Sequence, residues 1–361
     1  MLAREELDGP VRAGILTPAQ ADRLIAYYNR DSDPVADREE VRFARGFHDI
    51  FITIGIVILF AGLFIALATL LPDSMQQNLP TFATAAVVAW ALAEWLVARR
   101  KLALPAIVLS VLFTTFAAIA MLALYGQISG SSGFVSRLDF LVPANWGRST
   151  SGPLVFGLAA FAAGALYYVR FHVPIALTGL VAGGLAAVGG LLETASPGLV
   201  SGHPALFMLA SGIVSFALAM RFDARDLDRT TLNTDKAFWL HLLAAPLIMH
   251  SVMMLVGPET GSTGEAFIII AVVLALGVVA LIVDRRALLV SGLIYLGIAL
   301  AQLFGNANVQ ADSGLAVVLL ILGLFVLILG SGWTSVRRMM LAPFVDTGLF
   351  DFVPPIRTHA K

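Results

Sequence analysis

The sequence predicts an all-α membrane protein with about ten transmembrane helices, both termini cytoplasmic, and a small cytoplasmic helical hairpin at the N-terminus. Three observations predict it. The 361 residues are 58% hydrophobic and only 13% charged, with a mean hydropathy of +0.87, whereas a soluble domain carries about 25% charged residues. The apolar residues fall in runs near the length that crosses a bilayer, about 20 residues rising about 1.5 Å each through about 30 Å of hydrocarbon. The cations cluster between alternate runs.

The leading segment, 1–48, is mostly polar and has no early apolar core with a small-residue cleavage site, so the first hydrophobic run is expected to insert and stay. "GILTPAQADRLIAYY" (Gly14–Tyr28) carries a helix start: Thr17 as cap, Pro18 at the first helical position and Gln20 completing a T-x-x-Q capping box. Ala21, Leu24, Ile25 and Tyr28 follow with helical spacing, and Leu7, Val11 and Ile15 form an earlier stripe spaced by four. A hairpin turned at Gly14 satisfies both patterns. It serves either as a docking or self-association module or as a minor cap on the membrane domain. "REEVRFARGFHD" (Arg38–Asp49) then puts Arg38, Arg42 and Arg45 on one face, as an interfacial helix with arginines at lipid headgroups requires.

The membrane domain, 49–332, holds ten runs: 50–71, 81–98, 103–125, 153–169, 174–192, 204–220, 237–256, 265–283, 287–304 and 314–332. The boundary between the second and third is set by "EWLVARRKLALP" (Glu94–Pro105). Arg99, Arg100 and Lys101 at mid-bilayer would cost about 2.5–3.5 kcal/mol each, so they mark a tight turn. "YVRFHVP" (Tyr168–Pro174), "VDRRALL" (Val283–Leu289) and the longer "RFDARDLDRTTLNTDK" (Arg221–Lys236) repeat the device. The last run leads into a tail, 333–361, whose "WTSVRRMMLAPFVDTGLFDFVPP" (Trp333–Pro355) is expected along the interface.

Ten spans place every Lys and Arg of the chain, except Arg137 and Arg148, on the side of the termini. By the positive-inside rule that side is cytoplasmic. Trp95, Trp239 and Trp333 fall near that boundary and Trp146 in an outer loop, as an interfacial belt requires, while Trp90 lies inside a span.

Polar side chains within spans are functional candidates by default. His250, near the middle of the seventh span and four residues after Pro246, is the leading one. Proline frees a backbone carbonyl and can kink the helix, and an imidazole beside a kink suits a proton or solute site. It equally suits a buried neutral histidine bonded to an adjacent helix. Gln302 in the ninth span is its expected partner, or a packing hydrogen bond. His241 is nine residues away, about 180° around the helix, so the two histidines cannot share a metal. Glu94 is expected to snorkel or to pair with Arg99 one turn on, and Glu193 and Asp284 fall at span ends. In the fifth span Gly179 and Gly183 form a G-x-x-x-G pair, with Gly184, Gly189 and Gly190 following, which lets helix backbones approach closely. The longest outer segment, Gly126–Pro153, is expected to hold a short helix around Leu138–Val142.

Several classes are unsupported. A net charge of −1 gives no field for nucleic acid, and the absence of cysteine removes disulfides, thiolate metal sites and cysteine nucleophiles together. No P-loop, H-E-x-x-H, G-x-S-x-G or dinucleotide fingerprint is present, and no His/Asp/Glu group has metal-ligand spacing. No catalytic residue, metal or cofactor is therefore expected, and the lipid bilayer is the one certain partner.

"VARRKLAL" (Val97–Leu104), "VDRRALLV" (Val283–Val290) and, more loosely, "VRFHVPIA" (Val169–Ala176) read as repeated hairpins rather than two inverted halves. "AGILTPAQADRL" (Ala13–Leu24), "FAAIAMLALYGQI" (Phe116–Ile128) and "LILGLFVLILGSGWTSVRRMML" (Leu320–Leu341) resemble a family of bacterial integral membrane proteins, domain of unknown function family 2157. The resemblance implies a bacterial inner-membrane location and carries over no site residue. The expectation is an inner-membrane protein with a structural, regulatory or assembly role. The alternative is a secondary transporter built on His250, Gln302, Pro246 and the glycine-rich fifth span, and a weaker third is a lipid-handling enzyme.

Overall fold

The computed structural model describes residues 4–30, 47–71, 78–130, 142–149, 151–227, 229–256, 262–307, 311–344 and 353–354. Among these the regular structure is helical throughout, and ten helices are long and apolar enough to cross a membrane. The interfacial helix expected over Arg38–Asp49 lies outside the described residues up to position 46. So do most of the short helix expected around Leu138–Val142 and most of the tail beyond Phe344. The chain forms two compact units, Met1–Val41 and Arg42–Lys361.

In the first unit, α1 (Arg4–Arg12) and α2 (Pro18–Arg30) make the hairpin. Gly14 turns between them at φ 72, a backbone that glycine holds without strain. The capping box at the start of α2 is formed. The Gln20 N–H donates to Thr17 Oγ1 at 3.3 Å and the Thr17 N–H to Gln20 Oε1 at 2.9 Å. Ala21 is buried, while Ile15 and Leu24 stay exposed.

The second unit contains α3 (Phe47–Leu70), α4 (Asn78–Ala93) with a π turn at Glu94–Arg99, α5 (Ala103–Ser129), α6 (Gly152–Phe171), α7 (Pro174–Ala195), α8 (Pro204–Asp223), α9 (Leu232–Val256), α10 (Thr263–Val283), α11 (Leu289–Asn306) and α12 (Ala311–Leu341). Each holds one expected span. Prolines in the first turn start α6, α7 and α8, where a missing N–H costs nothing. Ser262 and Glu265 form a reciprocal capping box at α10. Two boundaries differ from the hydropathy reading by five residues or more. α9 begins five residues earlier than expected because its polar first turn is capped, and α12 runs nine residues further through "GWTSVRRMML" because nothing there breaks a helix.

Successive helices pack as hairpins: α4 with α5, α6 with α7, α8 with α9 and α10 with α11. α5 also packs on α6, α7 on α9, and α9 on α11, while α3 and α12 are the least buried spans. Trp90, the tryptophan inside a span, belongs to an aromatic cluster with Phe113, Tyr167 and Phe171 between α4, α5 and α6.

Side-chain contacts sort the loops into two ends. At one end, Asp49 accepts from the Ala103 N–H at the start of α5, Glu94 meets Arg170 at the end of α6, and the Lys236 ammonium lies 5.8 Å from the Tyr168 ring. The cations of the sequence gather here, so this is called the basic end. At the other, Tyr125 bonds Ser151, and Trp146 packs on Phe207.

Three basic-end turns share a device. Lys101, His172 and Asp284 hold left-handed backbone at φ 54, 56 and 60. Each is followed by an extended residue, Leu102, Val173 and Arg285, before the next helix or a 3-10 turn begins. The repeat is therefore in the turn geometry. Aligned as strings, "VARRKLAL", "VRFHVPIA" and "VDRRALLV" put these three residues out of register.

Candidate functional site

His250 is exposed on the surface of α9, as is Pro246 one turn before it, within a helix that continues unbroken from Leu232 to Val256. The expected pairing of His250 with Gln302 is not formed. Its Nδ1 instead lies 2.6 Å from the Tyr295 hydroxyl on α11. Gln302 is seven residues further along α11, about 10 Å at the helical rise, and its buried Oε1 has no hydrogen-bond partner. The candidate polar site is thus two separate features.

Glu94 does not pair with Arg99. It takes a 2.6 Å ion pair from Arg170, 76 residues away. The aromatic cluster is the reason: Trp90 packs on Phe171 at 5.1 Å, which sets the end of α6 beside the π turn.

The glycine seam also differs from the G-x-x-x-G reading. A Cβ added at Gly183 or Gly190 on α7 would overlap backbone atoms of Phe161 and Leu154, and one at Gly157 or Gly164 on α6 would overlap those of Ala187 and Leu180. These positions are seven apart on each helix, two turns, so the two backbones touch along a stripe. A Cβ at Gly179 meets only the Thr114 side chain at 3.4 Å, an ordinary contact. A Cβ at Gly179 would therefore point away from the seam that Gly183 builds, although its carbonyl carbon lies 3.0 Å from a Cβ placed on Gly164.

The strongest concentration of buried charge lies where sequence reasoning saw only turns. Asp223, the last residue of α8, is buried with His241 of α9 and Arg285 of the α10–α11 turn. Its carboxylate accepts from His241 Nε2 at 2.8 Å, from Arg285 Nε at 3.2 Å and from Arg285 Nη2. Both charges of the ion pair are therefore compensated, as burial demands. His241 Nδ1 and Arg285 Nη1 are buried without a hydrogen-bond partner, and Phe216 packs edge-on to the imidazole at 5.2 Å.

A second group adjoins it through the chain. Asp284 accepts from the Trp333 indole N–H at 2.7 Å and lies 3.2 Å from Arg229 Nη1 and 3.7 Å from Arg337 Nε. The two arginines also close the end of α10. Arg229 donates to the Asp284 carbonyl at 2.7 Å, and Arg337 donates to the Leu281 carbonyl at 3.0 Å and the Pro354 carbonyl at 2.5 Å. A helix leaves its last four carbonyls unbonded and its C-terminus partly negative, so guanidinium groups suit this position electrostatically.

Asp226 shapes the loop that delivers Arg229. Its carboxylate accepts the Thr230 and Thr231 N–H groups at 3.0 Å each and the Thr231 and Thr234 hydroxyls at 2.7 and 2.8 Å. Burial alone would raise its pKa. The hydrogen bonds, Thr231 first, outweigh burial and lower it to about 2. Glu193 does the equivalent at the opposite end, accepting from the N–H groups of Gly198, Val200 and Ser201 and from the Ser201 hydroxyl.

Chemically, the cluster holds protons and charge rather than a nucleophile. Among the described residues no group of three His, Cys, Asp or Glu side chains is placed to hold a metal ion. The signal available in the sequence was the acidic residue beside the cations in "RFDARD" and "VDRR", which composition alone reads as solvated turn. Compared with known proteins, the chain matches no family model, no curated protein and no solved structure.

Proposed function

We propose that this multi-pass membrane protein has a structural, regulatory or assembly role in a bacterial inner membrane, with both termini cytoplasmic and no catalytic activity. The observation that carries this reading is the convergence of Asp223, His241 and Arg285 from α8, α9 and the α10–α11 turn. Among the described residues buried charge is committed to partners at the two ends of the helices, most of it at the basic end, rather than arrayed at mid-span where carriers hold solutes. The positive-inside rule supports the cytoplasmic assignment of that end. The likeness to domain of unknown function family 2157 supports the bacterial location, and it rests on the three quoted stretches alone. The exposed Ile15 and Leu24 on the α1–α2 hairpin support protein contact or self-association there.

A second reading, a secondary transporter, is favoured by one observation. The buried Gln302 Oε1 without a partner and the exposed His250–Tyr295 pair lie within α9 and α11, four to six residues from the nearer helix end. In that case the basic-end cluster is a closed gate.

The chain has no cysteine, so single introduced cysteines separate the readings without background. In sealed vesicles, Gln302→Cys and His250→Cys are expected to stay unmodified by a membrane-impermeant maleimide. Ala144→Cys and Lys101→Cys are expected to react from opposite faces. Rapid modification at Gln302→Cys from either face would mark an aqueous path and favour the transporter.

A further inference from the structure

A groove of about 210 Å³ runs between α3 and the π turn of α4, lined by Ile52, Gly55, Ile56, Leu59, Leu92, Trp95, Leu96 and Arg100. The four α3 residues follow i, i+3, i+4, i+7 spacing, one face of the helix, over about 10 Å at the helical rise. The walls are apolar except at the basic end, where Arg100 closes the lining. Its guanidinium lies 5.1 Å from the centre of the Trp95 ring. Both helices are spans, so the groove sits beside hydrocarbon and its arginine at headgroup level.

We propose that this groove is a binding site for an anionic glycerophospholipid of the basic-side leaflet, with an acyl chain along Ile52–Leu59 and the phosphate on Arg100. The floor is open at Gly55, where an added Cβ would meet nothing within 4 Å, and three observations single the groove out from the ordinary lipid-facing surface. The π turn departs from regular helix at the groove, a feature frequent at functional sites. The one carboxylate of that turn, Glu94, is taken by Arg170 at 2.6 Å. The other carboxylate at this end, Asp49 on α3, is buried and accepts from the Ala103 N–H at 3.3 Å, and among the described residues Arg99, Arg100 and Lys101 form no ion pair with a carboxylate. Trp95, half exposed, is the residue type that belongs at the boundary between chain and headgroup. An apolar slot of this length ending in an unneutralised cation is complementary to a fatty chain that ends in a phosphodiester. An extended peptide would need backbone partners that the apolar lining does not supply.

The test uses the full-length protein, delipidated in mild detergent and titrated with dioleoyl phosphatidylglycerol, dioleoyl phosphatidylcholine or inorganic phosphate. Bound lipid is read by native mass spectrometry, and the melting temperature is followed in parallel. The expected result is retention of phosphatidylglycerol over phosphatidylcholine and no response to inorganic phosphate. Arg100→Gln is expected to weaken phosphatidylglycerol about fivefold, the worth of one cation near a membrane surface, and to leave phosphatidylcholine unchanged. Arg99→Gln, outside the lining, is expected to keep the preference. Gly55→Leu places its Cβ in open space and its branch in the groove, so it is expected to lose both lipids while its lipid-free melting temperature does not fall below the wild-type value. Equal binding of the two lipids by the wild type overturns the proposal. So does an equal loss in Arg99→Gln and Arg100→Gln, wild-type retention by Gly55→Leu, or a response to inorganic phosphate matching that to phosphatidylglycerol.

Discussion

His241 donates through Nε2 to the Asp223 carboxylate at 2.8 Å, and both side chains are buried. The same carboxylate takes the Nε–H edge of Arg285. One buried anion thus serves two donors from two other parts of the bundle.

Removing one partner leaves a buried charge uncompensated, which costs about 3–5 kcal/mol. Arg285→Ala is expected to destabilise the protein by about that amount in detergent unfolding. The double variant Asp223→Leu with Arg285→Met is expected to recover part of it, the remainder being the cost of leaving the buried His241 Nε2–H without an acceptor. A single-variant loss under about 1 kcal/mol would mean that the pair is hydrated.

Asp226 gives a pH dependence with a definite sign. Its pKa falls from about 3.9 in the unfolded chain to about 2 in the fold, so the folded state favours the ionised form. That stability, about 2–3 kcal/mol, is complete above about pH 5 and is lost as pH falls through 4 towards 2. Melting temperatures across this window are expected to fall less steeply in Asp226→Asn than in the wild type.

The α6–α7 seam discriminates between neighbouring glycines. Gly183→Ala drives a methyl into the Phe161 backbone and is expected to cost about 1–3 kcal/mol, the range for overpacking. Gly179→Ala, which meets Thr114 at 3.4 Å, is expected to be nearly neutral. Equal losses at the two positions would restore the G-x-x-x-G reading.

Tyr295→Phe removes the hydroxyl 2.6 Å from His250 Nδ1. Interhelical hydrogen bonds in membranes average about 0.6 kcal/mol, so a loss of that order is expected in chemical unfolding. A loss several times larger would show that the pair organises more than its own contact.

The spans were legible in the sequence because burial in lipid demands long apolar runs, and Arg99–Lys101 could only be a turn. The Thr17–Gln20 box was legible because a cap is local. The Asp223 cluster was not: His241 and Arg285 stand 18 and 62 residues away along the chain, and no periodicity relates one helix end to another. The Arg170 partner of Glu94 was hidden for the same reason, since it is set by how Trp90 packs on Phe171. The α9 boundary failed because hydropathy does not register Asp226 and its threonines.

Lys101, His172 and Asp284 adopt backbone that glycine would adopt freely. Glycine there would leave nothing to fix the turn at a given height, and the joined helices could sink or rise by a turn. A polar residue in that position sets the elevation of both helices it connects. With Arg229, left-handed at φ 55 in the α8–α9 loop, eight of the ten spans are joined at a single face by such a residue, an arrangement that resists a piston stroke.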